Sequence, residues 1–346
     1  MPVSADVTQR SGHIAVIGAG AWGTTLARLL ADKGLTVHLW AFEAEVVEAV
    51  RTKQENTRFL GGVTLPLSLV PTTSLAEAVA RVDGLIFAVP SHAARSVLVP
   101  LASVMPKPCP VVIATKGIEE NTLLLMSALA GETIPPERQG GLAVLSGPSF
   151  ATEVCAGLPT AVTLAGDNLE LLKYLQSLLM TPTFRIYTAG DTIGVQLGGA
   201  MKNVMALAAG VVDGLGLGHN ARASLITRGL AEMVRLGAAM GAEPRTFYGL
   251  SGVGDLVLTC TGPLSRNHAV GVEIARGRSL DDILKGMTAV AEGVRTSRAA
   301  LGLANRHGVE MPIVQSVCDV LFQQKPCRQA VTELMARAAK DEHPAA

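Results

Sequence analysis

The feature that most constrains the fold is a glycine-rich turn near the start of the chain. The apolar run 13–17 predicts a strand, the turn Gly18-Ala19-Gly20-Ala21-Trp22-Gly23 follows it directly, and a helical pattern comes next. In a strand–turn–helix unit, Gly18 permits the tight turn, Gly20 lets a pyrophosphate approach the backbone, and Gly23 lets the helix pack closely on the strand. Free N–H groups at the helix start would bind the anion. The turn therefore predicts a dinucleotide-binding unit, the alternative being a glycine-rich turn that holds no ligand.

The pattern of the chain changes at about residue 190. Before this point, short apolar runs alternate with helical patterns, which is typical of a doubly wound, mostly parallel sheet; beyond it the strand signals stop. We therefore predict an α/β protein, with a Rossmann-type dinucleotide-binding domain over residues 1–190 and an all-α substrate domain over residues 191–346. The predicted strands are 13–17, 36–40, 84–89, 110–114, 142–146, 160–164 and 184–187. Predicted helices of the first domain include 24–33, 121–129 and 168–180.

Charge and composition exclude several classes of protein. Lys plus Arg and Asp plus Glu both number 29 among the 346 residues, so the net charge is zero. A chain without a broad basic face is a poor candidate for binding nucleic acid or an anionic membrane surface. The five cysteines are widely spaced and include no CxxC pair, so neither a disulfide framework nor a metal site is predicted.

Two segments bear on localisation. The first 12 residues are polar and include no apolar core of a secretory signal. The apolar stretch 195–218 carries Lys202, Asn203 and Asp213, which would be costly in hydrocarbon. We therefore expect a cytoplasmic protein with no integral membrane association, and the sequence is compatible with a homodimer.

The end of the second predicted strand bears on the choice of cofactor. Glu43 is the nearest acid that could bind a ribose 2′-hydroxyl, although it comes slightly late in the sequence. No Arg or Lys precedes Arg51 to neutralise a 2′-phosphate. This pattern weakly favours NAD(H) over NADP(H), and both cofactors stay open.

Three loops follow the carboxyl ends of predicted strands, at 89–92, 114–117 and 146–150. Ligands of open α/β sheets bind at this edge, so three such loops favour an active site there. Because Pro and Gly occur in any connection of this kind, the alternative is that the loops only join elements.

Lys202 is the strongest candidate for a catalytic group. Oxidation of an alcohol needs a base to take the hydroxyl proton, and a lysine whose pKa is lowered by burial can serve. Lys202 lies in an apolar run, and Gly198 and Gly199, one turn earlier, would leave room for a ligand above its ammonium. Alternatively, Lys202 reaches solvent or pairs with Asp213. His92 and His268 are weaker candidate bases, because the sequence shows no obvious carboxylate partner for either.

Two further segments supply candidate partners for a substrate. Asp255 could be the carboxylate partner of Lys202, the alternative being that 251–256 is only a turn before a helix. Ser265, Arg266 and Asn267 stand at a turn into a predicted helix, where N–H groups, a guanidinium and an amide could bind a phosphate. The alternative for this segment is an ordinary capped surface helix.

These segments together resemble the bacterial NAD(P)-dependent glycerol-3-phosphate dehydrogenase family. The resemblance runs from about residue 14 to residue 337 and includes Ser146-Gly147-Pro148-Ser149-Phe150-Ala151 and Gly198-Gly199-Ala200-Met201-Lys202-Asn203. The other matching segments are 18–23, 90–92, 114–117, 194–197, 226–233, 254–261 and 265–267.

The resemblance implies a role for each matching residue. Lys202 matches the proton acceptor. Substrate contacts are implied for Lys116, Gly147, Ser149, Lys202, Asp255, Ser265, Arg266 and Asn267. Cofactor contacts are implied for Gly18, Gly20, Ala21, Trp22, Gly23, Phe42, Lys116, Gly147, Ala151, Arg266, Val290 and Glu292.

The reaction implied is the interconversion of sn-glycerol 3-phosphate and dihydroxyacetone phosphate with NAD(P)(H), without a metal, for glycerophospholipid synthesis. Two residues depart from the family pattern: Ala21 stands where Ser is common, and Phe42 stands where many members have His or Arg. Two alternatives are a related β-hydroxyacid dehydrogenase that acts on a carboxylate and a dinucleotide-binding redox sensor without turnover.

Overall fold

The computed structural model describes residues 12–287, 291–339 and 341–342. The candidate cofactor residue Val290 lies outside this part, as do the polar leader up to Ser11 and most of the C-terminal tail. The strands are β1 (His13–Ile17), β2 (Thr36–Trp40), β3 (Glu55–Asn56), β4 (Leu60–Thr64), β5 (Leu69–Thr72), β6 (Gly84–Phe87), β7 (Cys109–Ile113), β8 (Gln139–Ser146), β9 (Thr160–Ala165) and β10 (Phe184–Ala189).

Helices lie between the strands, and beyond residue 191 the described chain consists of helices and the loops that join them. The first seven are α1 (Ala21–Asp32), α2 (Ala44–Lys53), α3 (Leu75–Val79), α4 (Ala94–Val104), α5 (Met126–Thr133), α6 (Ala151–Cys155) and α7 (Leu169–Leu179). The others are α8 (Thr192–Gly214), α9 (Gly218–Ala239), α10 (Asp255–Thr261), α11 (Arg266–Ala275), α12 (Leu280–Lys285), α13 (Glu292–Arg306), α14 (Pro312–Phe322) and α15 (Cys327–Met335).

Eight strands form one sheet in the order β10-β9-β8-β7-β6-β1-β2-β5. Every pair in it is parallel except β8 with β9, which is antiparallel. The predicted doubly wound, mostly parallel sheet and the helical second half are thereby confirmed. The seven predicted strands are all present, with ends that shift by at most three residues.

Three elements of the first half differ from prediction. The edge strand β5 and the separate antiparallel hairpin of β3 and β4 were not expected, because both are short and lack a clear apolar pattern. The helix predicted over 121–129 begins only at Met126. Before it, Ile118 and Leu125 form an isolated bridge, and Leu123 has a φ of 63°, which no helical residue adopts.

Apolar side chains of the sheet are buried on both faces. Along β1, Ile14 and Val16 belong to one buried cluster, whereas Ala15 and Ile17 belong to another on the opposite face. Successive side chains of a strand point to opposite faces, so a continuous apolar run marks a strand covered by helices on both sides. The sheet is therefore the middle layer, and its carboxyl edge is free to carry loops.

The helical half is built around α8. This helix is long and apolar enough to cross a membrane by length and composition, but 89% of its most apolar window is buried inside the protein. The surrounding core includes residues from α9, α10, α11, α13 and α14. Its hydrophobic side chains are therefore accounted for by packing within the chain.

Glycines bring α8 and α11 into close contact. A Cβ at Gly210 would lie 2.1 Å from the His268 oxygen, and one at Gly271 would lie 2.1 Å from the Leu207 oxygen. The two backbones therefore pack directly against each other, which fixes the start of α11 relative to α8. Asp213 also joins these helices, because its carboxylate lies 2.8 Å from His268 Nε2.

The same carboxylate accepts a 2.8 Å hydrogen bond from Arg222. These contacts settle two points that the sequence left open. Asp213 is not the partner of Lys202, and His268 does have a carboxylate partner, which comes from a helix 55 residues away in sequence.

Candidate active site

The glycine-rich turn has the backbone geometry that a dinucleotide loop requires. Gly18 has a φ of 112°, and a Cβ there would lie 2.7 Å from the Ala88 backbone at the end of β6. A Cβ at Gly23 would lie 1.8 Å from the Gly18 oxygen. By contrast, nothing lies within 4 Å of a Cβ placed on Gly20. Packing within the chain therefore requires glycine at the first and third positions, and leaves free space at the second.

That free space adjoins the N-terminus of α1. Gly20 caps this helix without a side-chain hydrogen bond, so the N–H groups of the first turn have no side-chain acceptor at the cap. Free N–H groups and the helix dipole bind anions such as a pyrophosphate. In the same turn, the indole N–H of Trp22 is buried without a partner in the described residues, and its ring lies 6.4 Å from that of Phe184. The turn thus fits the diphosphate of a dinucleotide.

Phe42 and Glu43 follow the end of β2, where the ribose of a bound dinucleotide is expected. The Phe42 side chain is 81% exposed, which is unusual for a phenylalanine. Glu43 precedes the first residue of α2 and makes no side-chain capping hydrogen bond. Neither residue offers a positive charge to a 2′-phosphate.

Two lysines meet at one buried carboxylate. Lys202 Nζ, from the middle of α8, donates to Asp255 Oδ1. Lys116 Nζ, from the loop after β7, donates to Asp255 Oδ2 at 2.6 Å and to the Gly147 oxygen at 2.9 Å. Asp255 is the first residue of α10 and is completely buried. The predicted partnership of Lys202 and Asp255 is present, and the sheet half and the helical half of the chain meet at this cluster.

The environment of Lys202 favours its neutral form. Burial is the largest influence and, with a smaller contribution from nearby Lys116, lowers the pKa of Lys202 to about 7; Asp255 opposes the shift. A lysine with such a pKa can accept or donate a proton near neutral pH. Lys202 is nine-tenths buried, so the alternative that it extends into solvent is wrong.

Gly198 and Gly199 do not provide the space that the sequence suggested. A Cβ at Gly198 would lie 2.4 Å from the Ser251 oxygen, and one at Gly199 would lie 2.4 Å from Ser146 Oγ. These glycines instead let a π-helical segment at Leu250–Gly254 and the end of β8 approach α8 closely. The expectation that they leave room for a ligand is wrong, and their effect is to bring Asp255 within reach of Lys202.

The loop after β8 turns at Gly147. This residue has a φ of 143°, and a Cβ there would lie 2.9 Å from Val162 Cα. The Gly147 oxygen accepts hydrogen bonds from Lys116 and, at 3.0 Å, from Ser149 Oγ. Ala151 begins α6, and its oxygen accepts a 3.4 Å hydrogen bond from Thr25 of α1. The loop and the helix that follows it therefore contact both Lys116, which binds Asp255, and α1, the helix that follows the glycine-rich turn.

The start of α11 lies beside the lysine cluster. Ser265 caps the helix by accepting a 3.3 Å hydrogen bond from the His268 N–H. Asn267 donates to Asn203 Oδ1 at 2.9 Å, and Asn203 follows Lys202 in α8. Arg266 makes no hydrogen bond or ion pair within the part of the chain that the structure describes. Its guanidinium is therefore available to an anionic ligand.

Glu292 connects the start of α13 to the loop after β6. Its carboxylate accepts hydrogen bonds from Ser91 Oγ at 2.5 Å and from Ser91 N at 3.2 Å. Burial raises its pKa. The next residue, Gly293, donates its N–H to Asn267 Oδ1 at 2.9 Å. A continuous set of contacts thus joins a proposed cofactor residue, Glu292, to a proposed substrate residue, Asn267.

The sequence assigned no role to three polar side chains of this region, although each lies in a segment that matches the family: Ser91, Thr259 and Asn203. Thr259 lies one turn after Asp255, and its hydroxyl donates to the backbone carbonyl of Asp255 at 2.6 Å and to the carboxylate Oδ1 at 3.4 Å. The position of Thr259 four residues after Asp255 in one helix could have indicated that their side chains are neighbours. The partnership of Ser91 with Glu292 spans 201 residues and left no signal in a single sequence. Within the described residues, no group of three or more His, Cys, Asp or Glu side chains could hold a metal ion.

Comparison with known proteins gives a consistent result. Residues 13–172 match the family model for the N-terminus of NAD-dependent glycerol-3-phosphate dehydrogenase, and residues 191–332 match the model for its C-terminus. The glycerol-3-phosphate dehydrogenase (NAD(P)+) of Geobacter metallireducens is 55% identical over 95% of this chain and 98% of its own length. The protein of the same name from Geobacter sulfurreducens is 54% identical over 96% and 99%. The crystal structure of glycerol-3-phosphate dehydrogenase from Coxiella burnetii superposes with a TM-score of 0.91 at 38% identity, covering 94% of this chain and 99% of that one.

Proposed function

The chain belongs to the NAD-dependent glycerol-3-phosphate dehydrogenase family, and we propose that its reaction takes place at the carboxylate that Lys116 and Lys202 share. The protein is an NAD(P)-dependent oxidoreductase that interconverts sn-glycerol 3-phosphate and dihydroxyacetone phosphate. The observation that supports our placement of the chemistry is the buried cluster of two lysine amino groups around Asp255. We place the substrate phosphate at the start of α11.

Lys202 acts as the base in alcohol oxidation. Its pKa of about 7 leaves a substantial neutral fraction at physiological pH, and the neutral amine accepts the proton of the substrate hydroxyl at Nζ. In the opposite direction the protonated amine returns that proton to the ketone oxygen. Asp255 holds Nζ in place, and Lys116 supplies a second cationic donor that can polarise the carbonyl.

The start of α11 binds the substrate phosphate. Arg266 supplies a guanidinium that makes no hydrogen bond or ion pair in the described chain, although it is attracted electrostatically by the Glu292 carboxylate. The N-terminus of this ten-residue helix adds backbone N–H groups. Asn267 supplies the amide N–H that Asn203 leaves free. Because α11 packs directly on α8, the bound phosphate is held at a fixed distance from Lys202.

The cofactor is held along the carboxyl edge of the sheet. Gly18, Gly20 and Gly23 with the first turn of α1, including Ala21 and Trp22, hold its diphosphate. Phe42 adjoins the ribose, while Gly147, Ala151 and Glu292 line the side nearer Lys116. When bound, the nicotinamide ring supplies the hydride acceptor or donor of the redox reaction.

One assay tests this function directly. The near-ultraviolet absorbance of NADH or NADPH is followed after adding dihydroxyacetone phosphate, and in parallel after adding 2-oxo and 3-oxo acids. We expect oxidation with dihydroxyacetone phosphate alone. Turnover of the acids instead would support the related dehydrogenases that act on carboxylates, and no turnover with any substrate would support the redox-sensor hypothesis.

Several finer statements are also proposals. A cytoplasmic location is supported by all five cysteines being free thiols, as a reducing compartment would keep them. Supply of glycerol 3-phosphate for glycerophospholipid synthesis is consistent with the reaction. A homodimer is to be tested by light scattering on the purified protein.

A domain boundary near residue 190 is supported by the change from β10, which ends at Ala189, to α8, which begins at Thr192. The loop between β7 and α5 nevertheless reaches across this boundary, because Ile118 and Leu125 belong to the core of the helical half.

A further inference from the structure

A buried asparagine from outside the main sheet holds the glycine-rich turn. Asn56 is the second residue of β3, in the small hairpin that β3 forms with β4. Its side chain is completely buried. A buried amide must satisfy its polar atoms within the protein, so the partners of Asn56 define what the hairpin does.

Each polar group of this amide has a partner. Asn56 Nδ2 donates to the Ala19 oxygen at 2.8 Å and to Thr24 Oγ1 at 2.9 Å. Asn56 Oδ1 accepts from the Phe59 N–H at 3.1 Å, within the hairpin turn. The Thr24 hydroxyl in turn donates to the same Ala19 oxygen at 3.2 Å. Two donors therefore hold one carbonyl of the glycine-rich turn.

The direction of that carbonyl determines the direction of the next N–H. The peptide bond between Ala19 and Gly20 is planar and trans, so its C=O and its N–H point in opposite directions. With the Ala19 oxygen held towards Asn56, the Gly20 N–H must point away from the hairpin. This N–H makes no hydrogen bond within the described part of the chain. Of the three glycines Gly18, Gly20 and Gly23, Gly20 is the one where no atom lies within 4 Å of an added Cβ.

We propose that Asn56 is a positioning residue for cofactor binding, which aims the Gly20 N–H at the cofactor diphosphate by holding the Ala19 carbonyl. The inference rests on the proposed role of the glycine-rich turn. Gly20 has no side chain to restrict rotation of its peptide planes, so the turn needs an external group to select one orientation. The hairpin supplies that group, and the N–H is in place before the ligand arrives.

Two variants at position 56 and one at position 24 test the inference. Asn56→Leu keeps the approximate size of the side chain but removes every hydrogen bond, and Asn56→Asp places an acceptor against the Ala19 oxygen. Thr24→Val removes the second donor to the Ala19 oxygen and one of the two acceptors of Asn56 Nδ2, but leaves the Asn56 donor to Ala19 in place. Glu55→Ala is the matched control, because Glu55 accepts a 2.8 Å hydrogen bond from Gly62 across the same hairpin without contacting the turn.

The measurements separate the diphosphate from the rest of the cofactor. We expect both Asn56 variants to raise the KM for NADH and the inhibition constant of ADP-ribose roughly 10- to 100-fold, as for loss of a hydrogen bond to a charged group. Thr24→Val should have a smaller effect in the same direction. The inhibition constant of adenosine, which has no phosphate, the KM for dihydroxyacetone phosphate and kcat at saturating NADH should stay near wild type, and Glu55→Ala should resemble wild type throughout.

Other outcomes overturn the inference in distinguishable ways. If ADP-ribose and adenosine weaken equally, or if Glu55→Ala weakens ADP-ribose as much as Asn56→Leu does, then Asn56 only stabilises the hairpin. If the Asn56 variants do not fold, an unchanged ADP-ribose constant in Thr24→Val contradicts the inference. If Gly20→Val leaves ADP-ribose binding intact, the role of the turn is wrong, whatever the Asn56 variants show.

Discussion

Lys116 and Lys202 bind the two oxygens of the same buried carboxylate, although they come from different halves of the chain. Asp255 thereby holds two ammonium groups close together, which would otherwise repel each other. The neighbouring positive charge and, above all, burial then favour loss of a proton from Lys202. The cluster thus pairs a lysine that can be neutral with a second lysine on the same carboxylate.

Lys202→Ala should abolish most turnover. Loss of a general base typically reduces kcat by about 10²- to 10⁴-fold. Binding of NADH, measured by quenching of protein fluorescence, should persist because Lys202 makes no hydrogen bond to the glycine-rich turn, where we place the cofactor diphosphate. Near-normal kcat in this variant would remove Lys202 from the role of base.

The rate of glycerol 3-phosphate oxidation should follow the protonation of Lys202. Because the neutral amine is the base, kcat/KM should rise with pH and level off above about pH 7, where the neutral form predominates. Reduction of dihydroxyacetone phosphate needs the protonated amine, so its rate should fall above the same pH. A pH–rate profile in both directions checks this, with residual activity of Lys202→Ala as the control. If the rate of Lys202→Ala changes with pH in the same way, the pH dependence belongs to another titratable group.

Arg266→Ala should weaken binding of the phosphate. We expect the KM for dihydroxyacetone phosphate to rise by roughly 10- to 100-fold, since a charge-assisted hydrogen bond is lost. Turnover of unphosphorylated dihydroxyacetone, assayed at high concentration, should change much less. Equal losses with both substrates would show that Arg266 serves the reacting end or the cofactor, and not the phosphate.

Phe42→Arg should shift the cofactor preference towards NADP(H). The wild-type side chain is exposed and uncharged, and Glu43 beside it would repel a 2′-phosphate. We expect the wild type to prefer NADH, and the variant to gain roughly 10-fold in kcat/KM for NADPH with little change for NADH. Comparable KM values for the two cofactors in the wild type would contradict this interpretation of the end of β2.

The parts of the site that lie close together in sequence were predictable. The turn at Gly18 to Gly23 combines local backbone geometry with a strand before it and a helix after it, and each of these features leaves a pattern. Lys202 was identifiable because a charged residue in an apolar helix needs a reason to be there. The sequence offered both Asp255 and Asp213 as partners of Lys202. The close approach of Ser251 to Gly198 brings Asp255, and not Asp213, to Lys202.

Contacts between distant segments could not be predicted. The hydrogen bond between Ser91 and Glu292 and the ion pair between Asp213 and His268 depend on how helices pack, which one sequence does not encode in any short pattern. Asn56 escaped notice for the same reason, since its partners are 32 and 37 residues away. The hairpin that carries it is too short to show a strand period.

The loop between β7 and α5, which we call the arm (residues 118–125), affects where the enzyme can be cut into two exchangeable parts. Ile118 and Leu125 pack in the core of the helical half, and Leu123 covers Gly302 of α13, with Leu123 carbons 3.1 Å from where a Gly302 Cβ would be. A chimera that joins the sheet half of one family member to the helical half of another would therefore pair a foreign arm with a foreign core. A chimera should fold and be active only when residues 118–125 come from the same family member as the helices they pack on. The segment that must be exchanged as a unit therefore does not begin at the boundary near residue 190.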